Sequence, residues 1–189
     1  MCGNKYPWET SEGKKVWKTK SQYFVWLRGA LRKLWSDYPL RKVWKQQSLR
    51  PVTKEERLTK AFHPSTKNVG QCVFCGEWFA GSRLECDHIK ESEGCYDFET
   101  AEKFLWHCGG QTADNFQLVC KPCHKIKSHS DRKGISFEEA RADKKAIEIC
   151  KGDEKKWLQE QGVVPESNAK KRRQQVFDKL MEGVSNENN

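Results

Sequence analysis

Apolar and polar residues alternate at helical spacing in SQYFVWLRGALRKLWS (21–36). Tyr23, Trp26, Leu27, Ala30, Leu31 and Leu34 share one face, with Arg28, Arg32 and Ser36 opposite. The pattern predicts an amphipathic helix with Ser21 as its N-cap. Pro39 then restarts the chain, and PLRKVWKQQ reads as a second, short basic helix with Pro at its first position. Apolar and β-branched residues from Arg83 to Ile89, following the turn residues Gly81-Ser82, predict a strand. Trp78-Phe79-Ala80 is read as its hairpin partner. A helix is expected around Phe98 to Trp106. Another opens at Ser136, with Glu139 completing a capping box, and a short one covers DEKKWLQEQ. The sum is an α+β fold, mostly helical, with a small stapled core and helical flanks.

Trp8, Trp17, Trp26, Trp35 and Trp44 stand nine residues apart, yet their flanking residues do not recur. Nine residues is about two and a half helical turns, so neighbours in the series face opposite ways and no repeat is inferred. Trp26 is assigned to the core. Trp35 lies at the rim of the apolar face, with packing or a nucleotide contact both open to it.

Charge divides the chain further. Residues 1–70 hold sixteen Lys and Arg against five Asp and Glu, a net of +11, while 71–135 carry −2 and 136–189 carry 0. The organisation expected is a flexible basic N-terminus (1–20), a basic helical region and linker (21–70), a core (71–135) and a C-terminal helical extension (136–189). A field of this sign suits a polyanion as partner. No apolar run is long enough for a membrane span, and the N-terminus MCGNKYPWETSEGKK lacks the apolar stretch of a secretory signal, so the chain is expected in the cytoplasm.

In that compartment the nine cysteines are better used as metal ligands than as disulfides. Cys72-Val73-Phe74-Cys75 and Cys120-Lys121-Pro122-Cys123 are two C-x-x-C pairs separated by 44 residues. Two such turns supply a tetrahedron of thiolates for one Zn²⁺. A redox dithiol reading needs a βαβ context that the chain lacks. Four thiolates leave no open position for water, so the zinc is structural. Cys2, Cys86, Cys95, Cys108 and Cys150 are left as free thiols, with Cys108 the spare ligand should the pairing differ.

Between the pairs lie Asp87-His88 on the predicted strand and Asp114-Asn115 on the return. Phosphodiester hydrolysis needs a base for water, a divalent cation for the phosphate charge, and fixed geometry between them. Neighbours on a strand point to opposite faces, so Asp87 and His88 serve one site only where the strand twists, bulges or ends. Taken singly, Asp87-His88 also reads as a structural pair, Asn115 as a turn residue, and His124 as a further zinc ligand. His63, His107 and His129 fit no motif.

The ordered series C-x-x-C, ECDHI and DNFQLVCKPCHKIKS resembles the HNH (ββα-metal) endonucleases, in particular those carried by tailed phages, over roughly residues 70–130. The basic helix and GISFEEARADKKAIE resemble the flanks of those proteins more weakly. The resemblance implies a ββα-metal core that cuts DNA, with host cytoplasm as its location if phage-encoded. It implies His88 as the general base, Asn115 as the residue that pins the loop and orients it, and Asp87 and His124 as ligands of a catalytic Mg²⁺ or Mn²⁺. Lys127, one turn past His124, is placed to hold a phosphate. Arg28, Arg32, Lys33, Arg41 and Lys42 are expected to track DNA phosphates without reading sequence. The tail run Lys170 to Arg173 is read as a solvated face. Two other functions stay open: a non-catalytic zinc-finger DNA-binding protein, and a ββα-metal junction resolvase. The oligomeric state is not set by the sequence.

Overall fold

In a computed structural model of the protein, residues 5–187 are described. The elements run α1 (Ser11–Lys14), α2 (Lys20–Asp37), α3 (Pro39–Gln47), β1 (Arg50–Pro51), α4 (Lys54–Leu58), β2 (Asn68–Gln71), β3 (Trp78–Ala80), β4 (Leu84–His88), α5 (Phe98–Gly109), β5 (Phe116–Cys120), α6 (Lys121–Lys133), α7 (Phe137–Ile149), α8 (Glu154–Glu160) and α9 (Ala169–Glu187). The fold is thus α+β and mostly helical. It divides between Cys120 and Lys121 into two compact units. That break falls inside the 71–135 segment that the sequence groups together, because α6 packs with α7. Among the described residues no helix is long and apolar enough to cross a membrane.

In the first unit, α2 starts at Lys20, one residue before the predicted cap, because the Thr19 hydroxyl accepts the N–H of Gln22. Its buried line also differs from the prediction. Phe24 is the fully buried residue, and Tyr23, Leu27, Leu31 and Trp35 pack beside it. Trp26, assigned to the core, is half exposed, and so is Leu34. The helix offers two overlapping apolar arcs, and α5 selects one of them by packing Ala101, Phe104 and Cys108 against Phe24. Trp26 instead joins Trp17 and Tyr23 in a partly exposed aromatic group, at 5.2 and 5.5 Å between ring centroids. The N-terminus expected to be flexible forms a short turn at Pro7–Glu9 and then α1. It is anchored by Trp8, whose ring lies 5.0 Å from Tyr23 and 5.6 Å from Phe24.

The strands form two antiparallel sheets, β1-β2-β3 and β4-β5. This corrects the predicted hairpin. Trp78 to Ala80 pair with Gln71 to Val69, and β4 pairs with β5 from Leu84↔Cys120 to His88↔Phe116. Gly81–Arg83 forms a 3-10 turn rather than a tight hairpin, so the chain leaves one sheet and enters the other. Gly70 permits their close approach. A Cβ there would lie 2.7 Å from a Leu49 methyl and 2.9 Å from one of Leu84.

The free edge of β4 is covered by α3. Arg41 Nε donates to the Cys86 carbonyl at 3.4 Å, and Lys45 Nζ to the Leu84 carbonyl at 2.6 Å. One turn of helix matches two residues of strand, so these cations satisfy backbone acceptors that an open edge leaves unpaired.

In the second unit, Ala146, Leu158 and Val176 from α7, α8 and α9 form the core, with Ile149, Trp157 and Phe177 against it. The capping box at Ser136 and Glu139 forms as the sequence predicts. Asp143 accepts hydrogen bonds from His129 at 2.7 Å, from Arg173 at 2.6 Å and from Lys133. Arg172, read as part of a solvated run, donates to Glu154 at 2.9 Å, so half of that basic cluster holds α9 in place. Lys170 and Lys171 remain exposed.

Candidate functional site

The peptide between β2 and β3 folds into a knuckle. Cys72 N–H donates to Glu77 O at 2.9 Å, and Gly76 N–H returns to Cys72 O at 2.9 Å. Gly76 has φ +69°, a conformation that disfavours a side chain at the fourth position after Cys72. The resulting turn aims backbone N–H groups at sulfur. Burial works to raise the Cys72 thiol, but hydrogen bonds from the N–H groups of Cys120, Cys75 and Phe74 bring it down to about 7. The Cys120 N–H lies 3.4 Å from Cys72 Sγ.

The sulfurs of Cys72, Cys75, Cys120 and Cys123 all lie within 4.8 Å of one another. Four thiolates about 2.3 Å from a zinc ion sit about 3.8 Å apart, so this cluster fits a tetrahedral metal with a small contraction. The four cysteines can hold one metal ion. The remaining described thiols are of another kind. Cys86, Cys95 and Cys108 are buried and Cys150 is half-buried; burial pushes Cys86 up to about 11 even with the Arg41 guanidinium beside it, and Cys108 up to about 11 as well. Cys108, the spare ligand of the sequence reading, belongs to the α2–α5 core instead. Cys2 lies outside the described residues.

Asp87 and His88 occupy the last two positions of β4 and are both buried. The strand ends at His88, one of the three conditions under which adjacent residues can serve one site. Gln117, directly opposite Asp87 in the register, donates from Nε2 to Asp87 Oδ2 at 3.3 Å and to the His88 carbonyl at 3.1 Å. The His88 ring lies 3.8 Å from the Trp35 ring and 3.7 Å from that of His107, measured between centroids. Phe116 meets it edge-on at 6.1 Å.

Asn115 fastens the chain immediately after His88. Its backbone carbonyl accepts Ile89 N–H at 2.9 Å, and its side-chain oxygen accepts Lys90 N–H at 2.8 Å. Its amide then donates to Gln111 Oε1 at 2.9 Å, which fixes the orientation of the side chain. Asp87, His88 and Asn115 are therefore brought together in the first unit. Beside them opens a cleft of about 450 Å³ lined by Lys90, His107, Gln111 and Asn115 among others.

His124 and Lys127 lie on α6. His124 is half-buried. Lys127 is buried, and its ammonium pairs with Asp131 at 2.8 Å. The cations expected to track phosphates separate into two kinds. Arg32 and Lys33 are exposed, Arg28 is half-buried, and Lys42 is exposed with Asp37 at 3.5 Å. Arg41 is not among the exposed ones. Besides Cys86 it donates to the carbonyls of Trp35 and Ser36, and its guanidinium lies 4.9 Å from the Trp35 ring.

Sequence reasoning passed over Gln117 and His107. Gln117 stands two residues after Asn115, as the second residue of β5, a signal that register alone would have raised. His107 carries no local signal, since only the docking of α5 brings it to His88. No protein-family model, no curated protein and no solved structure matches the chain.

Proposed function

We propose that the chain is a metal-dependent HNH-type endonuclease that hydrolyses DNA phosphodiester bonds, with a structural zinc on Cys72, Cys75, Cys120 and Cys123. The observation that carries this reading is the clamp of Asn115 on the peptide that follows Asp87-His88. It is the arrangement that a hydrolytic site needs if a strand-end imidazole is to keep one position. In this reading His88 takes the proton of the attacking water. Asn115 and Gln117 hold the backbone on which it is mounted; Asp87 would be a ligand of Mg²⁺ or Mn²⁺, and His124 on α6 is the second ligand that the family resemblance implies. When bound, that ion stabilises the charge that builds up on the scissile phosphate. The exposed Arg32 and Lys33 hold neighbouring phosphates without regard to sequence.

The test is conversion of supercoiled plasmid in Mg²⁺, Mn²⁺ or EDTA. Relaxed or linear product that depends on the ion supports the reading, and intact plasmid in every condition rejects it.

A second reading is favoured by one observation. His88 is only 5% exposed, lying between two rings. A zinc-stapled DNA-binding protein without catalysis would use it as a packing residue. Such a protein would retain plasmid in a mobility-shift assay and leave it uncut.

A further inference from the structure

His107 sits in the last turn of α5, half-buried, with one side on the cleft that Asn115 and Lys90 also line. The buried face of α5 is already supplied by Ala101, Phe104 and Cys108, so His107 is not needed to complete that core. Its ring lies 3.7 Å from His88, with the planes 36° apart, while Trp35 lies 3.8 Å away at 31°. Aromatic rings ordinarily meet at about 4.5–7 Å between centroids. Both neighbours therefore lie close against the imidazole, each tilted to its plane.

The consequence follows from torsional freedom. The χ2 torsion of histidine is broad and has no sharp staggered wells. A backbone clamp does not by itself stop rotation of the imidazole about Cβ–Cγ. Two flat groups against its faces remove that rotation. Asn115 fixes where the ring is attached, and the two rings fix how it is turned. Trp35 is itself held, with Arg41 4.9 Å from its ring. His107 is the member of the pair that borders the open cleft.

We propose that His107 is a positioning residue for His88, clamping the imidazole with Trp35 so that it keeps a single orientation during proton transfer. This inference rests on the hydrolytic reading above. The ring, rather than its nitrogens, performs the task.

The experiment compares full-length wild type, His107→Ala and His107→Phe. It measures plasmid cleavage in Mg²⁺ and the imidazole Cε1–H resonance of His88, assigned by its loss in His88→Ala. His107→Ala is expected to lower kcat by about a hundredfold with KM within about twofold, the pattern of a misoriented group rather than lost binding. The His88 resonance should move and broaden in the same variant. His107→Phe should restore kcat to within about threefold and return the resonance to a single narrow line. Wild-type kcat in His107→Ala, or a His107→Phe variant as slow as His107→Ala, overturns the proposal. If His107→Ala does not fold, His107→Leu replaces it, filling the volume without a flat ring. If wild type cuts nothing, the hydrolytic reading fails and the resonance decides alone. A His88 signal unchanged by His107→Ala then overturns the clamp, and a signal broadened by Ala and restored by Phe upholds it.

Discussion

The side-chain oxygen of Asn115 accepts the backbone N–H of Lys90 at 2.8 Å, two residues beyond His88. One amide thus joins the residue just before β5 to the segment just after β4, and its other half is held by Gln111. Asn115→Ala removes two hydrogen bonds and is expected to cost about 1–2 kcal/mol of stability. Asn115→Asp keeps the acceptor for Lys90 and removes only the donor to Gln111, so its melting temperature should fall between wild type and Ala. Thermal denaturation of the three proteins checks the order. Asn115→Ala should also slow cleavage, because the Lys90 N–H loses its acceptor while only the backbone bond from Ile89 N–H to residue 115 still holds the peptide after His88.

The cysteine cluster predicts metal content directly. Purified protein is expected to contain about one zinc per chain by elemental analysis, and Cys120→Ser should lose it. Because ligand geometry exists only in the folded chain, metal binding adds to folding free energy. A strong chelator should therefore lower the melting temperature of wild type and leave Cys120→Ser unchanged. Full stability in a metal-free wild-type protein would contradict the assignment.

Much of this was legible because it is local. The capping box at Ser136 and Glu139, the Pro39 helix start and the helix from Phe98 depend on residues a few positions apart. The two C-x-x-C pairs announced their cluster by spacing alone. What was not legible depends on distant packing. Phe24 and Trp26 stand two residues apart, and only the arrival of α5 decides which is buried. Trp78 to Ala80 could pair with either flank, and the knuckle at 72–77 decides for β2. Arg41 reads as a surface cation until β4 presents a free edge to α3. His107 is one of five histidines in the sequence, and nothing near it tells of His88.

The basic residues of α2 and α3 should separate by role. Arg32→Ala and Lys33→Ala are expected to weaken DNA binding for every sequence. Each should lower the slope of log K against log salt by about 1 for every phosphate no longer neutralised. Arg41→Ala should instead lower thermal stability, by about 1 kcal/mol, since it uncovers the Cys86 carbonyl. Its salt slope should match wild type. Fluorescence anisotropy across a salt series, beside a melting curve, distinguishes the two.

In the second unit the Asp143 carboxylate adds an acid-sensitive contribution to stability. Burial works to raise it, but hydrogen bonds from Lys133, His129 and Arg173 hold it well below the usual carboxylate range. The folded chain therefore keeps Asp143 ionised where the unfolded chain, titrating near about 3.9, takes up a proton. Its stabilising contribution is complete above about pH 5 and is lost as the pH falls through and below that value. Asp143→Asn should cost about 2 kcal/mol at neutral pH, reduced from a fully buried pair because Lys133 and Arg173 are partly exposed. Its melting temperature should depend less on pH between about 5 and 3 than that of wild type.

The proposed hydrolysis assigns the His88 imidazole as the base, and single-turnover cleavage by His88→Ala tests that most directly. The measurement uses Mg²⁺, with DNA binding and zinc content determined on the same preparation. Binding and zinc are expected to match wild type, while the cleavage rate falls by about a hundredfold or more. A His88→Ala protein that cuts at the wild-type rate would contradict the central claim.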